Sequence, residues 1–187
     1  VATVDRSLVS LASTGEASQR IVCGGLAPVC EGRFRTGDQI DTSPPVAIIL
    51  SPYNGQSVPQ NDLVSISTKI TDDVGISYGS SSVDGRQVGV DAPTSTGVTF
   101  YAAIPWSTRG VVTGTHELIS AGHDLDSHKS LSLPVSVAVR PPHCFNGRTD
   151  EDETGLDCGG ASCGACAGAR CTLPTVCRSG VCADGVC

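Results

Sequence analysis

The stretch "LVSISTKI", residues 63–70, decides the fold class because its side chains alternate between two kinds of surface. One face carries Val64, Ile66, Thr68 and Ile70, and the other carries Ser65, Ser67 and Lys69. Successive side chains of an extended strand point to opposite faces, so a period of two indicates a strand with one face on a core. The stretch therefore predicts a half-buried β-strand.

Similar short runs lie on both sides of this strand and are separated by turn residues. They predict six further strands, at residues 46–50, 76–83, 86–90, 98–104, 115–122 and 133–139. The dipeptide Asp84-Gly85 lies between two of them and accepts the positive φ angles of a type I′ hairpin. Seven short strands between residues 44 and 140 are typical of an all-β, immunoglobulin-like antiparallel sandwich.

The order of several segments strengthens this interpretation. They read "PPVAIILSPYNGQSV", "TKITDDVGIS", "SVDG", "GTHELISAGHDLDSHKS" and "VSVAV". In this order they resemble the immunoglobulin-like domains repeated in many secreted and surface bacterial proteins. The resemblance covers residues 44–140 and implies a sandwich; it departs at "HDLDSHKS", where the family usually has an Asp followed by a Gly-Asn turn.

Cysteine usage divides the rest of the chain. The ten cysteines are Cys23, Cys30, Cys144, Cys158, Cys163, Cys166, Cys171, Cys177, Cys182 and Cys187. Such density requires an oxidising compartment or a metal, and with only 4% aromatic residues the tail cannot bury a conventional core. Residues 141–187 are therefore expected to form a small, disulfide-rich, loop-dominated module, in which each disulfide contributes about 2–4 kcal/mol. Eight cysteines permit 105 pairings, so the connectivity stays open.

The tail also resembles a known repeat. Its shared elements are Asn146-Gly147, the acidic run "DEDET", "DCGG", the Cys163 to Cys166 spacing and a terminal "CxxGxC" pair. With these it is similar to a small cysteine-rich repeat appended to secreted proteins of soil and marine bacteria. The resemblance implies that the tail accompanies a larger hydrolase, lectin-like protein or adhesin, and it supplies no catalytic residues.

Residues 1–43 form an N-terminal segment whose fold the sequence does not define. A strand at residues 2–8, a helix at residues 15–23 and a local Cys23–Cys30 loop are each compatible with it, and "TGDQIDTSPP" reads as a linker. The chain begins at Val1 and contains no methionine, so we interpret it as a portion of a longer precursor.

Acidic loops give the first candidate site, at one end of the predicted sandwich. The loops after the second and sixth predicted strands emerge together in this topology, and they carry Asp72, Asp73, Asp124 and Asp126. Asp38 and Asp41 of the linker approach the same end if the first strand starts there. Converging carboxylates suit calcium, whereas the alternative is that each Asp stabilises a solvated turn.

The second candidate calcium site lies in the tail. Its oxygen-bearing side chains are Asn146, Asp150, Asp152, Glu153 and Asp157. Their D-x-D spacing allows successive side chains to surround one hard cation, although the full EF-hand string is missing. The alternative is an exposed acidic loop.

Other ligand sets are less favoured by their context. "CGAC" has the spacing of zinc ligands, but eight cysteines exceed one tetrahedral site, so disulfides are expected. "HDLDSH" places His123 and His128 around two carboxylates, as a transition-metal site would, although a loop on the sandwich rim is the default. Trp106 is expected to pack in the sandwich rather than to anchor a partner.

Charge and motifs restrict the function classes. The net charge of −7 argues against nucleic acid, and no apolar run of about 18 residues predicts a membrane span. Neither a GxSxG nor a GxxxxGK motif is present. We therefore expect a non-enzymatic, secreted or cell-surface module for adhesion, spacing or assembly, with calcium as the expected ion. Its partner would be a protein or glycan at the cell surface, or another part of the precursor.

Two alternatives remain open. Residues 1–43 could be the end of a secreted hydrolase such as a metalloprotease, with the rest as its C-terminal accessory region. The cystine-rich tail could instead act as an inhibitor or a toxin-like module.

Overall fold

The computed structural model describes residues 41–187, which form one unit, Asp41–Cys187. The predicted strand at residues 2–8, the helix at 15–23, the Cys23–Cys30 loop and Asp38 lie outside the described residues. No helix within residues 41–187 is long and apolar enough to cross a membrane.

All seven predicted strands are present in the structure. Together with two short additional strands they are β1 (Val46–Ser51), β2 (Ser57–Pro59), β3 (Leu63–Thr71), β4 (Ile76–Val83), β5 (Arg86–Asp91), β6 (Thr99–Ser107), β7 (Gly114–Asp124), β8 (Lys129–Leu131) and β9 (Val135–Arg140). The sequence pattern did not predict β2 and β8, because a strand of three residues shows no alternation. Two 3-10 helices follow in the tail, at Pro142–Phe145 and Pro174–Val176.

The strands form two sheets packed as an immunoglobulin-like sandwich. One sheet has the order β1-β3-β6, and the other has the order β2-β9-β7-β4-β5, with β8 paired to β7. Every pairing is antiparallel except that of β2 with β9, which is parallel. The backbone N–H of Gly55 donates to the Ser136 carbonyl (2.7 Å), and the N–H of Ala138 donates to the Gln56 carbonyl (2.9 Å). These bonds support the parallel pairing, whereas the sequence predicted an antiparallel sandwich.

The alternation of β3 places its apolar side chains between the sheets. Ile66 and Ile70 are fully buried, and each belongs to a separate apolar cluster. The larger cluster contains Val58, Ile66, Val83, Trp106, Leu118, Val137 and Val139. The smaller cluster contains Ala47, Ile70, Ile76 and Ala102.

A layer of hydroxyl groups lies along β3 between these clusters. The Thr68 hydroxyl donates to Ser120 Oγ (2.8 Å), and Ser81 Oγ is also 2.8 Å from Ser120 Oγ. All three residues are buried. Buried hydroxyls are tolerated when they bond to one another, so this layer joins the two sheets without apolar contact.

Two local predictions are confirmed by backbone geometry and burial. Asp84 and Gly85 have φ angles of 51° and 77°, as a type I′ turn requires. Trp106 is only 4% exposed and packs in the larger cluster. Strand β6 extends past its predicted end through Pro105, which is tolerated because β6 is an edge strand of its sheet.

Four disulfides hold the tail, as the cysteine count predicted. They are Cys144–Cys163, Cys158–Cys166, Cys171–Cys182 and Cys177–Cys187. Cys163 and Cys166 of the "CGAC" motif belong to different disulfides, so neither supplies a zinc-binding thiolate. Each bond closes a loop of 8 to 19 residues, which restricts the unfolded ensemble of a tail without a core.

Two isoleucines on neighbouring strands provide a test of this core. We expect Ile66→Ala to lower the free energy of unfolding by about 2–5 kcal/mol, because it leaves a cavity at a fully buried position. The matched control, Ile48→Ala on β1, changes a side chain that is 53% exposed and should cost less than about 1 kcal/mol. Urea unfolding measures both, and equal losses would contradict this assignment of the buried face.

Candidate functional site

The two acidic loops meet at one rim of the sandwich. Asp72 and Asp73 directly follow β3, and Asp124 is the last residue of β7. The backbone N–H of Leu125 donates to the carbonyl of Gly75 (3.2 Å) and so joins the two loops. The structure thus brings together the loops that the sequence placed at one end.

Asp41 lies at the same rim and is only 5% exposed. Its Oδ1 accepts a hydrogen bond from the Ser43 backbone (2.9 Å), and its buried Oδ2 has no hydrogen-bond partner among the described residues. A carboxylate oxygen of Asp41 lies within 4.8 Å of one oxygen each of Asp72 and Asp73. We call Asp41, Asp72, Asp73 and Asp124 the acidic rim.

Asp72 is bonded on one side only. Its Oδ2 accepts hydrogen bonds from the backbones of Val74 (3.0 Å) and Gly75 (2.7 Å). Its Oδ1 is buried and has no partner in the described part of the chain. One oxygen therefore fixes the loop, and the other remains available.

Asp124 is buried and held by its own loop. Its Oδ1 accepts from the backbones of Asp126 (2.9 Å) and His128 (2.8 Å), and its Oδ2 is 2.8 Å from His128 Nδ1. Burial raises the pKa of Asp124, but the bonds from His128 and Asp126 together hold that pKa below its ordinary value. The bond to Asp124 raises the pKa of His128.

The remaining predicted residues of this region do not join the acidic rim. Asp126 contributes its backbone N–H, and its exposed carboxylate belongs to no group of converging ligand atoms among the described residues. The His123 ring stacks on Tyr78, with centroids 4.0 Å apart. His123 and His128 are therefore not brought together as a pair of metal ligands.

The acidic rim has little compensating charge. Of its four carboxylates, only Asp124 has an ion-pair partner among the described residues, namely His128. Like charges in a partly buried setting repel strongly, and oxygen ligands are those preferred by hard divalent cations. This arrangement can bind a cation.

The tail carboxylates are placed differently, because most of them accept hydrogen bonds from their own module. Asp157 is buried and accepts from the Gly147 backbone (2.7 Å) and from Arg178 Nη2 (3.1 Å). Asn146 donates its Nδ2 to Asp150 Oδ2 (3.0 Å). The buried Asp150 Oδ1 has no partner among the described residues.

Asp152 and Glu153 also serve local structure. Asp152 Oδ2 accepts from the backbones of Ser162 (2.9 Å) and Ala161 (2.6 Å), and these two bonds lower the pKa of Asp152. Glu153 Oε2 accepts from the Asp150 backbone (3.3 Å). Within residues 41–187, no group of three or more converging ligand atoms contains two of the four predicted tail carboxylates.

The joint between sandwich and tail was not predicted from the sequence. Arg140, at the end of β9, is the central residue of this joint. Its Nε donates to Ser57 Oγ (3.0 Å), its Nη1 to the Ser162 carbonyl (3.3 Å) and its Nη2 to the Thr175 carbonyl (2.6 Å). Burial lowers the pKa of Arg140, but a guanidinium stays charged at neutral pH. The side chain therefore ties β2 and two tail segments to β9.

Two glycines make the second contact of this joint. A Cβ atom on Gly180 would lie 2.7 Å from the carbonyl oxygen of Gly55, and a Cβ on Gly55 would likewise overlap Gly180. Tyr53 adds a hydrogen bond from its hydroxyl to the Ser179 carbonyl (3.1 Å). In the sequence, neither glycine differs from an ordinary turn residue, because the steric constraint on each comes from the segment that carries the other.

A groove of about 760 Å³ lies beside this joint. Sandwich residues from β7, β9 and their flanks line one side, and small residues of the tail line the other. Arg140 is the only charged side chain among the lining residues, which include no histidine. The lining of the groove therefore contains no pair of side chains suited to general acid–base catalysis.

Comparison with known proteins adds little beyond the fold. No protein-family model matches the sequence, and no curated protein matches it. Among solved structures, the chain is similar to fibronectin(III)-like modules of Clostridium thermocellum CbhA, with 17% identity and a TM-score of 0.40, over 50% of this chain and 94% of that chain. An engineered protein is similar at 18% identity and a TM-score of 0.37, over 51% of this chain and 20% of that one.

The contacts of Asp152 predict a pH dependence in the acid range. A carboxyl whose pKa is lowered by folding stabilises the fold above its unfolded value of 3.8, and this stabilisation is lost as the pH falls through the folded value. We expect Asp152→Asn to lower the thermal midpoint at pH 7, with a deficit that shrinks below pH 3.8. Calorimetry across this range measures it.

The control for this prediction is Asp184→Asn, which removes one charge from an exposed position in the same module. It should leave the midpoint nearly unchanged throughout. A deficit of Asp152→Asn that stayed constant down to the lowest pH would contradict the role given to the Asp152 carboxylate.

Proposed function

We propose that the chain is a non-catalytic, secreted or cell-surface module for adhesion, spacing or assembly, and that calcium stabilises it. Its partners would be a protein or glycan at the cell surface, or another part of the same precursor. The observation that carries this proposal is the docking of the cystine-rich tail onto the sandwich through Arg140 and the Gly55–Gly180 contact.

This joint suits a module that holds a fixed distance. Strand β9 ends at Arg140, and Pro141 and Pro142 follow at once, leading into the first 3-10 helix without a flexible linker. Cys144 in that helix is then bonded to Cys163. A stiff connection with directional hydrogen bonds loses little conformational entropy when a partner binds at its far end.

The engagement of the histidines supports a non-catalytic role. His116 bonds to Asp84 (2.6 Å) and to the Val112 carbonyl (2.8 Å), and His128 bonds to Asp124. His143 lies 3.1 Å from Glu151. Since the fourth histidine is stacked on Tyr78, none of the four activates a hydroxyl or thiol in residues 41–187.

Four disulfides support a location outside the cytosol, because such bonds persist in oxidising compartments. The alternative is that the chain is an accessory region of a secreted hydrolase such as a metalloprotease. It is compatible with the same structure, and catalysis would then belong to another domain. A zinc-binding HExxH motif in a longer form of the chain would favour that alternative over adhesion.

A substrate panel tests the absence of catalysis. We expect the purified chain to hydrolyse no peptide or glycan of a broad panel, while immobilised chain retains a cell-surface protein or glycan. Turnover that copurified with the chain and survived repeated chromatography would overturn the proposal. An unrelated disulfide-rich protein prepared in the same way controls for contaminating hydrolases.

The joint has its own test in a pair of glycine variants. Gly180 and Gly185 both have positive φ angles (69° and 76°), so alanine strains the backbone at either position. Only Gly180→Ala also collides with Gly55. We expect Gly180→Ala to increase amide hydrogen exchange around Gln56 and Ala138, on the sandwich side of the joint, and Gly185→Ala to change exchange only near itself. Equal behaviour of the two variants would contradict a fixed joint.

A further inference from the structure

We propose that the acidic rim binds calcium through Asp41, Asp72 and Asp73, so that the ion fixes residues 41–45 against the loop that follows β3. The proposal deepens the calcium-stabilised module suggested above by naming the residues that hold the ion. It concerns the ion alone and does not depend on which partner the module binds.

The decisive observation is a pair of buried carboxylate oxygens without partners. Asp41 Oδ2 and Asp72 Oδ1 are both buried, and neither accepts a hydrogen bond from the described residues. One oxygen each of Asp41, Asp72 and Asp73 lie within 4.8 Å of one another. Burying a carboxylate oxygen without a partner costs free energy, and a cation bound next to these oxygens would offset that cost.

The other oxygen of each buried carboxylate is already engaged within its own segment. Asp41 Oδ1 accepts from Ser43, and Asp72 Oδ2 accepts from Val74 and Gly75. These bonds fix the carboxylate orientations before any ion arrives. Gly75 also joins the two loops, because its carbonyl accepts a hydrogen bond from the Leu125 backbone (3.2 Å).

The chemistry of the ligands favours calcium over other cations. Three carboxylate oxygens within 4.8 Å of one another can share one calcium ion, because opposite oxygens at Ca–O distances of about 2.3–2.6 Å lie about 4.6–5.2 Å apart. Magnesium requires near-octahedral geometry at about 2.0–2.1 Å and keeps most of its waters, so a group of carboxylates at irregular angles suits calcium better. Zinc prefers nitrogen or sulfur ligands, whereas the group formed by Asp41, Asp72 and Asp73 offers only carboxylate oxygens.

An ion at this place has a structural consequence. Asp41 precedes Pro44 and Pro45, and Pro45 is fully buried at the start of β1. A cation shared by Asp41, Asp72 and Asp73 would therefore connect the segment that enters the sandwich to the loop after β3, which the Leu125–Gly75 bond joins to the loop after β7. Calcium would thereby set the direction in which the chain enters β1.

The test measures ion binding by the whole chain after removal of metals with a chelator. Isothermal titration and thermal unfolding follow the addition of calcium, magnesium or zinc. We expect calcium to bind and to raise the unfolding midpoint, because selective binding to the folded state stabilises it. Asp41→Asn should weaken calcium binding by on the order of tenfold or more, the loss seen when support of a metal site is removed.

A readout without metal separates a ligand from a merely structural residue. In metal-free buffer we expect Asp41→Asn to be at least as stable as the unmodified chain, because an uncompensated buried charge is gone. If that variant fails to fold, the exposed Asp73→Asn provides the same test, with weaker calcium binding and an unchanged metal-free midpoint. The matched control is Asp126→Asn, which removes an exposed charge at the same rim and should bind calcium normally.

Three results would overturn the proposal. They are no calcium-dependent shift in the unmodified chain, an equal shift in Asp41→Asn, and a larger shift with zinc that is lost in His128→Gln. The last would instead indicate a transition-metal site at Asp41, Asp124 and His128. Because none of these outcomes involves hydrolysis or adhesion, a failed ion site and a failed functional proposal can be told apart.

Discussion

The shortage of large apolar side chains is the constraint on which the rest of the structure depends. With 4% aromatic residues and no methionine, the chain can fill one small core, and the sandwich uses it. The larger apolar residues of the tail, such as Leu156, Leu173 and Val181, are exposed. Its buried residues are four half-cystines, two glycines and Asp157. The tail therefore depends on disulfides for its shape and on the sandwich for its position.

That dependence explains the chemistry of the joint. The larger apolar side chains of the tail are exposed rather than packed on the sandwich, and Arg140 docks the tail by donating to two of its backbone carbonyls. Because no carboxylate of residues 41–187 neutralises this guanidinium, its desolvation must be offset by well-directed hydrogen bonds. The Gly55–Gly180 contact lets the two backbones approach closely enough for those bonds to form.

The sequence predicted those features that repeat or that depend on one residue type. Alternation located β3, Asp84-Gly85 located a type I′ turn, and cysteine density located the disulfides. Strands β2 and β8 were not predicted, because three residues cannot show a period of two. Their pairing partners are brought to them only by tertiary contacts. Thr68 occupied an apolar face in the pattern but bonds to Ser120. Arg140 gave no signal, since its three acceptors are brought to it only by the folded chain.

The two acidic segments show why carboxylate spacing alone does not distinguish between two predicted cation sites. The tail has the denser acidic run, yet the folded loop supplies Asp152 with two backbone N–H donors and Asp157 with Arg178. The rim has fewer acidic residues, but its backbone donors reach only one oxygen of Asp41 and of Asp72. What distinguishes the segments is the balance of donors to acceptors, which depends on loop conformation and burial. Negative charge at the rim is therefore the charge that the protein itself leaves least compensated, and an external cation is the simplest group to neutralise it.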